Sequence, residues 1–369
     1  MKSILIKISL LILSFLIVFA AGEVALRLKR EKTAEQVFKY DSKTGLLILD
    51  SNYEFDVRNK CFDTHVKANS EGFNDSEFSP EKPDDVFRIA ILGDSFVEAF
   101  QVPIENSFQY LLENKLNEIP GQKKKVEIYS FGHGGNGTFK NYLYLNQYAL
   151  KHKPDLVILA FLPANDFGND YQVNADIYGE DGKVRTALRE GQKLIYNSVF
   201  LQWLNEKWQI ISTQKMAYSK AQVPFDFQVF LEEYPQGWSS IWDMEEGLLK
   251  EFKNKVEENG AKFMLVSVND IWRTHPELTQ KDDLLSQMLN SFDFDFDKPE
   301  KILENFTQEE NIPFLNLLPF FKENIEGDEL VFNWPCEGHW NKKGHEMAAE
   351  SLFDYLTQGK GQELLNELK

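Results

Sequence analysis

The chain has 369 residues, 43% of them hydrophobic and 14% aromatic, which is enough apolar material for one large domain carrying a sizeable insertion. Its formal net charge is −18; residues 1–32 hold six Lys/Arg (Lys2, Lys7, Arg27, Lys29, Arg30, Lys32) against two Glu, a net +4 that leaves −22 on the remainder. So acidic a body repels polyanions, which argues against nucleic acid as a partner.

The first element is an apolar run, Ile8 to Gly22, behind Lys2 and Lys7. Extended to Ile4 with Lys7 snorkelling, it approaches the roughly 20 residues that a membrane helix needs. Two readings stand: an uncleaved anchor, or a signal peptide cleaved after Ala20, where Val18 and Ala20 supply small residues at the right offsets. The run continues into "EVALRLKR" without a break, which favours the anchor. Residues 1–32 are therefore assigned to an anchor or signal segment, with the body outside the cytoplasm on a single-pass anchor, or secreted or periplasmic after cleavage. Cys61 and Cys336 are a candidate disulfide in an exported protein, or two independent buried thiols.

Residues 33–84 are rich in Asp, Asn, Ser and Lys and read as an irregular extension. From residue 85 the pattern becomes regular. Strands are predicted at Val86 to Leu92, Lys125 to Phe131, Pro154 to Phe161, 262–268 and 313–317. Helices are predicted at Ser107 to Ile119, about 139–152, 244–258, 299–310, and from near Asn341. Residues 168–240, with turn signals and several Trp, read as an insertion or cap. Apolar strands alternating with helices predict an α/β fold: a three-layer α/β/α sandwich around a mostly parallel sheet, in one domain over residues 85–369. In such sheets the reactive edge lies beyond the carboxyl ends of the strands.

The strand ends deliver a chemically coherent set. The first gives Gly93-Asp94-Ser95 and the second "SFGHGGNGT". The third gives "LPANDF" with Asn165 and Asp166, and the closing loop gives "CEGHWN" with Glu337 and His339. Acyl transfer through serine needs a hydroxyl, a base, a group that orients the base, and donors for the oxyanion. Ser95, His339 and Glu337 fit the first three. The backbone of Ser95, a glycine amide of the second turn and the Asn165 carboxamide fit the fourth. The blander readings are Ser95 as a helix cap, His339 as a surface histidine and Asn165 as a turn brace.

These four blocks resemble the SGNH/GDSL hydrolase superfamily, and "NSEGFND…FRIAILGDSF" is similar to its membrane-anchored bacterial branch. The resemblance implies Ser95 as nucleophile, Gly135 (or by shift Gly134 or Gly137) and Asn165 in the oxyanion hole, and His339 as base. Cys336 stands where the family often has Asp, so Glu337 completes a triad or a Ser–His dyad operates. The implied activity is a serine esterase or acyl-transfer enzyme on O-acyl esters of an envelope glycan or lipid, with no cofactor and no metal. Protein partners are not readable. The alternative is a catalytically weak SGNH-fold binding or scaffold protein in envelope polysaccharide assembly.

Other motifs carry less. Gly132-x-Gly134-x-x-Gly137 follows the second strand, not the first, against a dinucleotide site. Cys336, Glu337, His339 and His345 lack a recognised metal spacing. Val97 breaks a Gly-x-Ser-x-Gly elbow. His133 either lines the site or packs, and "FDFDFD" (292–297) reads as a half-exposed edge segment.

Overall fold

The computed structural model describes residues 2–32, 37–179, 181–196, 198–204, 207, 223–275, 278, 286, 291–325 and 331–368. The contacts divide the chain into two units, residues 1–50 with 188–222, and residues 51–187 with 223–369.

In the first unit, helix α1 (Lys2–Lys32) contains a stretch, Ile6–Leu28, long and apolar enough to cross a membrane, with mean hydropathy 2.4. Glu23 on α1 accepts hydrogen bonds from Ser198 Oγ at 2.7 Å and from the Phe200 amide at 2.9 Å. The Phe19 and Phe200 rings meet edge to face at 5.5 Å. Part of the sequence assigned to a cap thus packs on α1; most of residues 205–222 lie outside the described residues. The same unit holds an antiparallel hairpin, β1 (Phe38–Tyr40) with β2 (Leu47–Leu49).

The second unit opens with another hairpin, β3 (Glu54–Arg58) and β4 (Asp63–Lys67). Residues 33–84, expected to be irregular, therefore contain two hairpins. Their strands are short, and in β4 charged and polar residues alternate with Thr64 and Val66, so only one face is buried. The main sheet follows: β5 (Val86–Gly93), β6 (Lys125–Gly132), β7 (Leu156–Phe161), β8 (Lys262–Ser267) and β9 (Phe314–Asn316). All four pairings are parallel and the spatial order is β6-β5-β7-β8-β9. Every residue of β5 and β7 is buried, as expected for strands covered on both faces.

Phe87, Ile89 and Ile91 of β5 face α3 (Phe108–Asn117) and the closing helix α8 (Lys342–Thr357), packing with Leu112, Leu116, Ala348 and Leu352. The opposite face is covered by α4 (Thr138–Gln147) and α6 (Trp238–Glu258), linked through Tyr142–Phe252 and Phe252–Phe263 ring contacts. Three layers result. The remaining helices that matter below are α2 (Ser95–Glu98), α5 (Pro163–Gln172) and α7 (Lys298–Glu309). The predicted helix over 139–152 stops early. Tyr148 leaves helical geometry at φ −127°, and Ala149–His152 is a 3₁₀ turn. Residues 293–295 pair antiparallel with 230–232, so "FDFDFD" is an edge segment.

The chain leaves β5 for β6 on one side and then crosses to β7 on the other. This makes the carboxyl end of β5 the topological switch point, where an open parallel sheet forms its crevice. Ser95 stands there.

Candidate active site

Asp94, not Ser95, caps α2. Its Oδ1 accepts the Phe96 N–H at 2.9 Å, leaving Ser95 at the first helical position with its hydroxyl uncommitted to the cap. Ser95 Oγ lies 2.8 Å from His339 Nε2, bridging 244 residues of sequence. Strand β6 can close on α2 only because of Gly132, where a Cβ would come within 2.2 Å of the Glu98 backbone nitrogen.

His339 is held by the loop around it. Its carbonyl accepts the Trp334 N–H at 2.8 Å, Asn333 Nδ2 donates to the Gly338 carbonyl at 2.8 Å, and the Phe96 ring lies 5.0 Å from the imidazole. A disulfide, Cys61–Cys336, ties this loop to the β3–β4 turn, and the Phe62 and Trp334 rings meet beside it at 5.7 Å. Glu337 Oε1 lies 3.2 Å from His339 Nδ1, but off the line of the ring N–H, so the two do not form an aligned hydrogen bond. Each side chain is about a quarter exposed, at 23% and 26%.

The oxyanion donors can be sorted by what already engages them. Among the described residues, the Ser95 and Gly135 N–H groups donate to no protein acceptor, whereas the Gly134 N–H is taken by Glu98 Oε2 at 3.0 Å. Gly135 holds φ +74°, a conformation that glycine adopts without cost. Gly137 serves as the N-cap residue of α4. Asn165, in the first turn of α5, directs Nδ2 at Asp94 Oδ2 over a long 3.4 Å. Burial pushes Asp94 above the usual carboxylate range. His133 Nδ1 donates to the Gly134 carbonyl, 3.0 Å away, and burial lowers it to about 4, so its ring is neutral.

The set Cys336, Glu337, His339 and His345 does not assemble for a metal. Cys336 is spent in the disulfide, while His345 is buried in α8 with Nδ1 accepting the Phe108 N–H at 3.2 Å. Among the described residues, no three His, Cys, Asp or Glu groups could hold an ion.

Several buried acids around the site escaped the sequence reading. Asp75 accepts the Ser130 N–H at 2.6 Å, and Asp170 on α5 accepts the Phe139 N–H at 3.1 Å. Glu245 on α6 is buried near Asp170, whose charge raises it, and Asp166 accepts the Leu162 N–H at 3.1 Å. Their only sequence signals are the i, i+4 spacing of Asp166 and Asp170 and the position of Glu245 among apolar α6 residues. Burial pushes Asp75 and Asp170 up to about 7, and holds Asp166 and Glu245 well above the usual carboxylate range.

These groups keep their protons in the fold at a pH where the unfolded chain has lost them. The folded state therefore binds more protons, and its stability falls as pH rises from about 4 through 7. A unit of upward shift corresponds to about 1.4 kcal/mol. Thermal unfolding should show a lower Tm at pH 8 than at pH 5.5, with a smaller loss in Asp170→Asn; equal losses in the two proteins would contradict this assignment.

No protein-family model matches the chain, and no curated protein matches it. Solved structures show a distant likeness. An acetyl xylan esterase, AlAXEase, is 15% identical, with 73% of this chain and 100% of that chain covered and a TM-score of 0.40. A lipolytic protein of the G-D-S-L family from Veillonella parvula is 12% identical, covering 74% and 99%, with a TM-score of 0.38. A catalytic mutant of an acetylxylan esterase from Geobacillus stearothermophilus is 12% identical, covering 74% and 94%, with a TM-score of 0.39.

Proposed function

We propose that the protein is a serine-dependent ester hydrolase or acyl-transfer enzyme of the SGNH/GDSL type. The observation that carries the reading is the 2.8 Å contact between Ser95 Oγ and His339 Nε2 at the switch point of the sheet. With its ring proton on Nδ1, His339 accepts the Ser95 proton through Nε2 as Oγ attacks the ester carbonyl. The negative charge that develops on the carbonyl oxygen is met by the Ser95 and Gly135 N–H groups and the Asn165 carboxamide. His339 then protonates the leaving alcohol, and water or a second hydroxyl resolves the acyl-serine.

Glu337 supports the imidazolium by charge, not by alignment. An ion pair this exposed is worth at most about 1 kcal/mol, so Glu337→Gln should lower kcat about fivefold or less. A hundredfold loss in steady-state assays would show a full triad at work.

The substrate proposed is an O-acyl ester of an envelope glycan or lipid, met outside the cytoplasm. Two features support that location: the apolar stretch Ile6–Leu28, and a disulfide that persists in oxidising compartments. The test is hydrolysis of p-nitrophenyl acetate by the purified protein. Turnover that disappears in both Ser95→Ala and His339→Ala supports the reading, and turnover that survives in either overturns it.

A further inference from the structure

The acyl-transfer reading gives a task to Asp94, which caps, and to Ser95, which attacks, but none to Glu98 at the end of the same helix. Glu98 is only 7% exposed, three residues after Ser95. Its backbone is fixed, because its carbonyl accepts Asn74 Nδ2 at 2.8 Å and Gly132 lies flat against its nitrogen. Its side chain is fixed as well, with Oε2 accepting the Gly134 N–H at 3.0 Å. A Cβ on Gly134 would stand 3.7 Å from Ser95 Cβ, so the carboxyl grips the turn where it passes the serine.

A carboxyl is a costly side chain to bury here. An apolar residue of similar size would fill the space without desolvating an acid. What the carboxyl adds is an acceptor for one particular amide. With the Gly134 N–H committed, the Gly135 N–H, the next amide along the turn, is left unengaged among the described residues. Resting on the acyl-transfer reading of Ser95, we propose that Glu98 is a positioning residue of the oxyanion hole: it holds the Gly134 N–H and thereby aims the Gly135 N–H at the reacting carbonyl oxygen.

The environment sets a pH signature. Among the described residues, the charged group acting on Glu98 is Asp94 at the head of α2; His133 flanks Gly134 in the turn, Lys140 Nζ donates to the Gly135 carbonyl, Asp75 follows Asn74 in sequence, and His339 acts on Asp94. Burial pushes Glu98 up to about 8, with Asp94 adding to the rise. Below that pH the neutral carboxyl accepts the amide without opposing the oxyanion. Above it, a buried negative charge beside the hole raises the barrier.

The experiment measures kcat and KM for p-nitrophenyl acetate with the full chain in detergent, from pH 6 to 9.5, for wild type, Glu98→Ala and Glu98→Gln. Glu98→Ala should lose about 10- to 100-fold in kcat with KM within about threefold, as expected for a misplaced oxyanion donor. Glu98→Gln retains a carbonyl acceptor and should recover most of kcat at pH 7. The alkaline fall near pH 8 should be present in wild type and absent in Glu98→Gln. A folded Glu98→Ala with wild-type kcat overturns the proposal, as does a Glu98→Gln that keeps the alkaline fall. Should Glu98→Ala not fold, the Glu98→Gln profile decides. Fluorophosphonate labelling separates the two levels: no adduct on wild-type Ser95 removes the acyl-transfer reading itself, whereas equal labelling rates in all three proteins remove only the role of Glu98.

Discussion

Replacing Ser95 with alanine should lower kcat for ester hydrolysis by at least about 10⁴-fold and leave the fold intact. The size follows from what remains. The amides of Ser95 and Gly135 and the Asn165 side chain still bind a carbonyl oxygen, so residual catalysis comes from the oxyanion hole and binding alone. The fold should be spared because, among the described residues, the serine hydroxyl hydrogen-bonds with His339 alone, whereas the cap of α2 belongs to Asp94. Tm should therefore stay within about 2 °C of wild type. His339→Ala should fall to a similar level, and the double variant should be no worse than either single one, since the two groups act as a unit. Circular dichroism and steady-state kinetics on the same preparations check all of this; additive losses would mean that the residues act separately.

Removing the disulfide is the largest expected change in stability. Cys61 and Cys336 are 275 residues apart in sequence, so the bridge closes a very long loop and restricts the unfolded chain strongly. The Cys61→Ala/Cys336→Ala variant should lose about 2–5 kcal/mol, or roughly 3–8 °C in Tm. Activity should fall too. Cys336 lies three residues before His339 in a loop also held by a few backbone hydrogen bonds, the Asn333 side chain on the Gly338 carbonyl, and the Phe62–Trp334 and Phe96–His339 ring contacts. A displacement of about 1 Å at His339 would cost up to roughly 10²-fold in rate, so a loss of tenfold or more in kcat is expected. Dithiothreitol should impose the same losses on wild type and none on the double variant. A double variant with wild-type Tm and kcat would show that the bridge braces nothing.

The sheet could be read from the sequence because its physics is local. Strands covered by helices are largely apolar runs, and β5, β6 and β8 fall within a residue of the predicted segments. The hairpins of residues 38–67 could not be read this way. Their strands are three to five residues long and mostly polar on the open face, so they resemble irregular chain. The four blocks bearing Ser95, Gly135, Asn165 and His339 were visible as letters at strand ends. Among the glycines Gly135 was the best match, with Gly134 and Gly137 open by shift; that the Gly134 N–H is taken by Glu98 is seen only in the structure. Glu98 itself looks in sequence like an ordinary helical acid. Only the closeness of Gly132 and Gly134 reveals that it is buried. The pairing of Cys61 with Cys336 was legible as one of two readings, but not that it fastens the His339 loop to the β3–β4 turn, since spacing carries no geometric information.

The most direct test of the central claim is covalent capture of the nucleophile. The folded full-length protein would be treated with a fluorophosphonate and the adduct located by peptide mass spectrometry. A single adduct on Ser95, formed at least 100-fold more slowly in His339→Ala, is the predicted result. A folded protein that takes no adduct, or takes it elsewhere, would contradict the nucleophile assignment and leave the Ser95–His339 contact as a structural pair in a binding or scaffold protein.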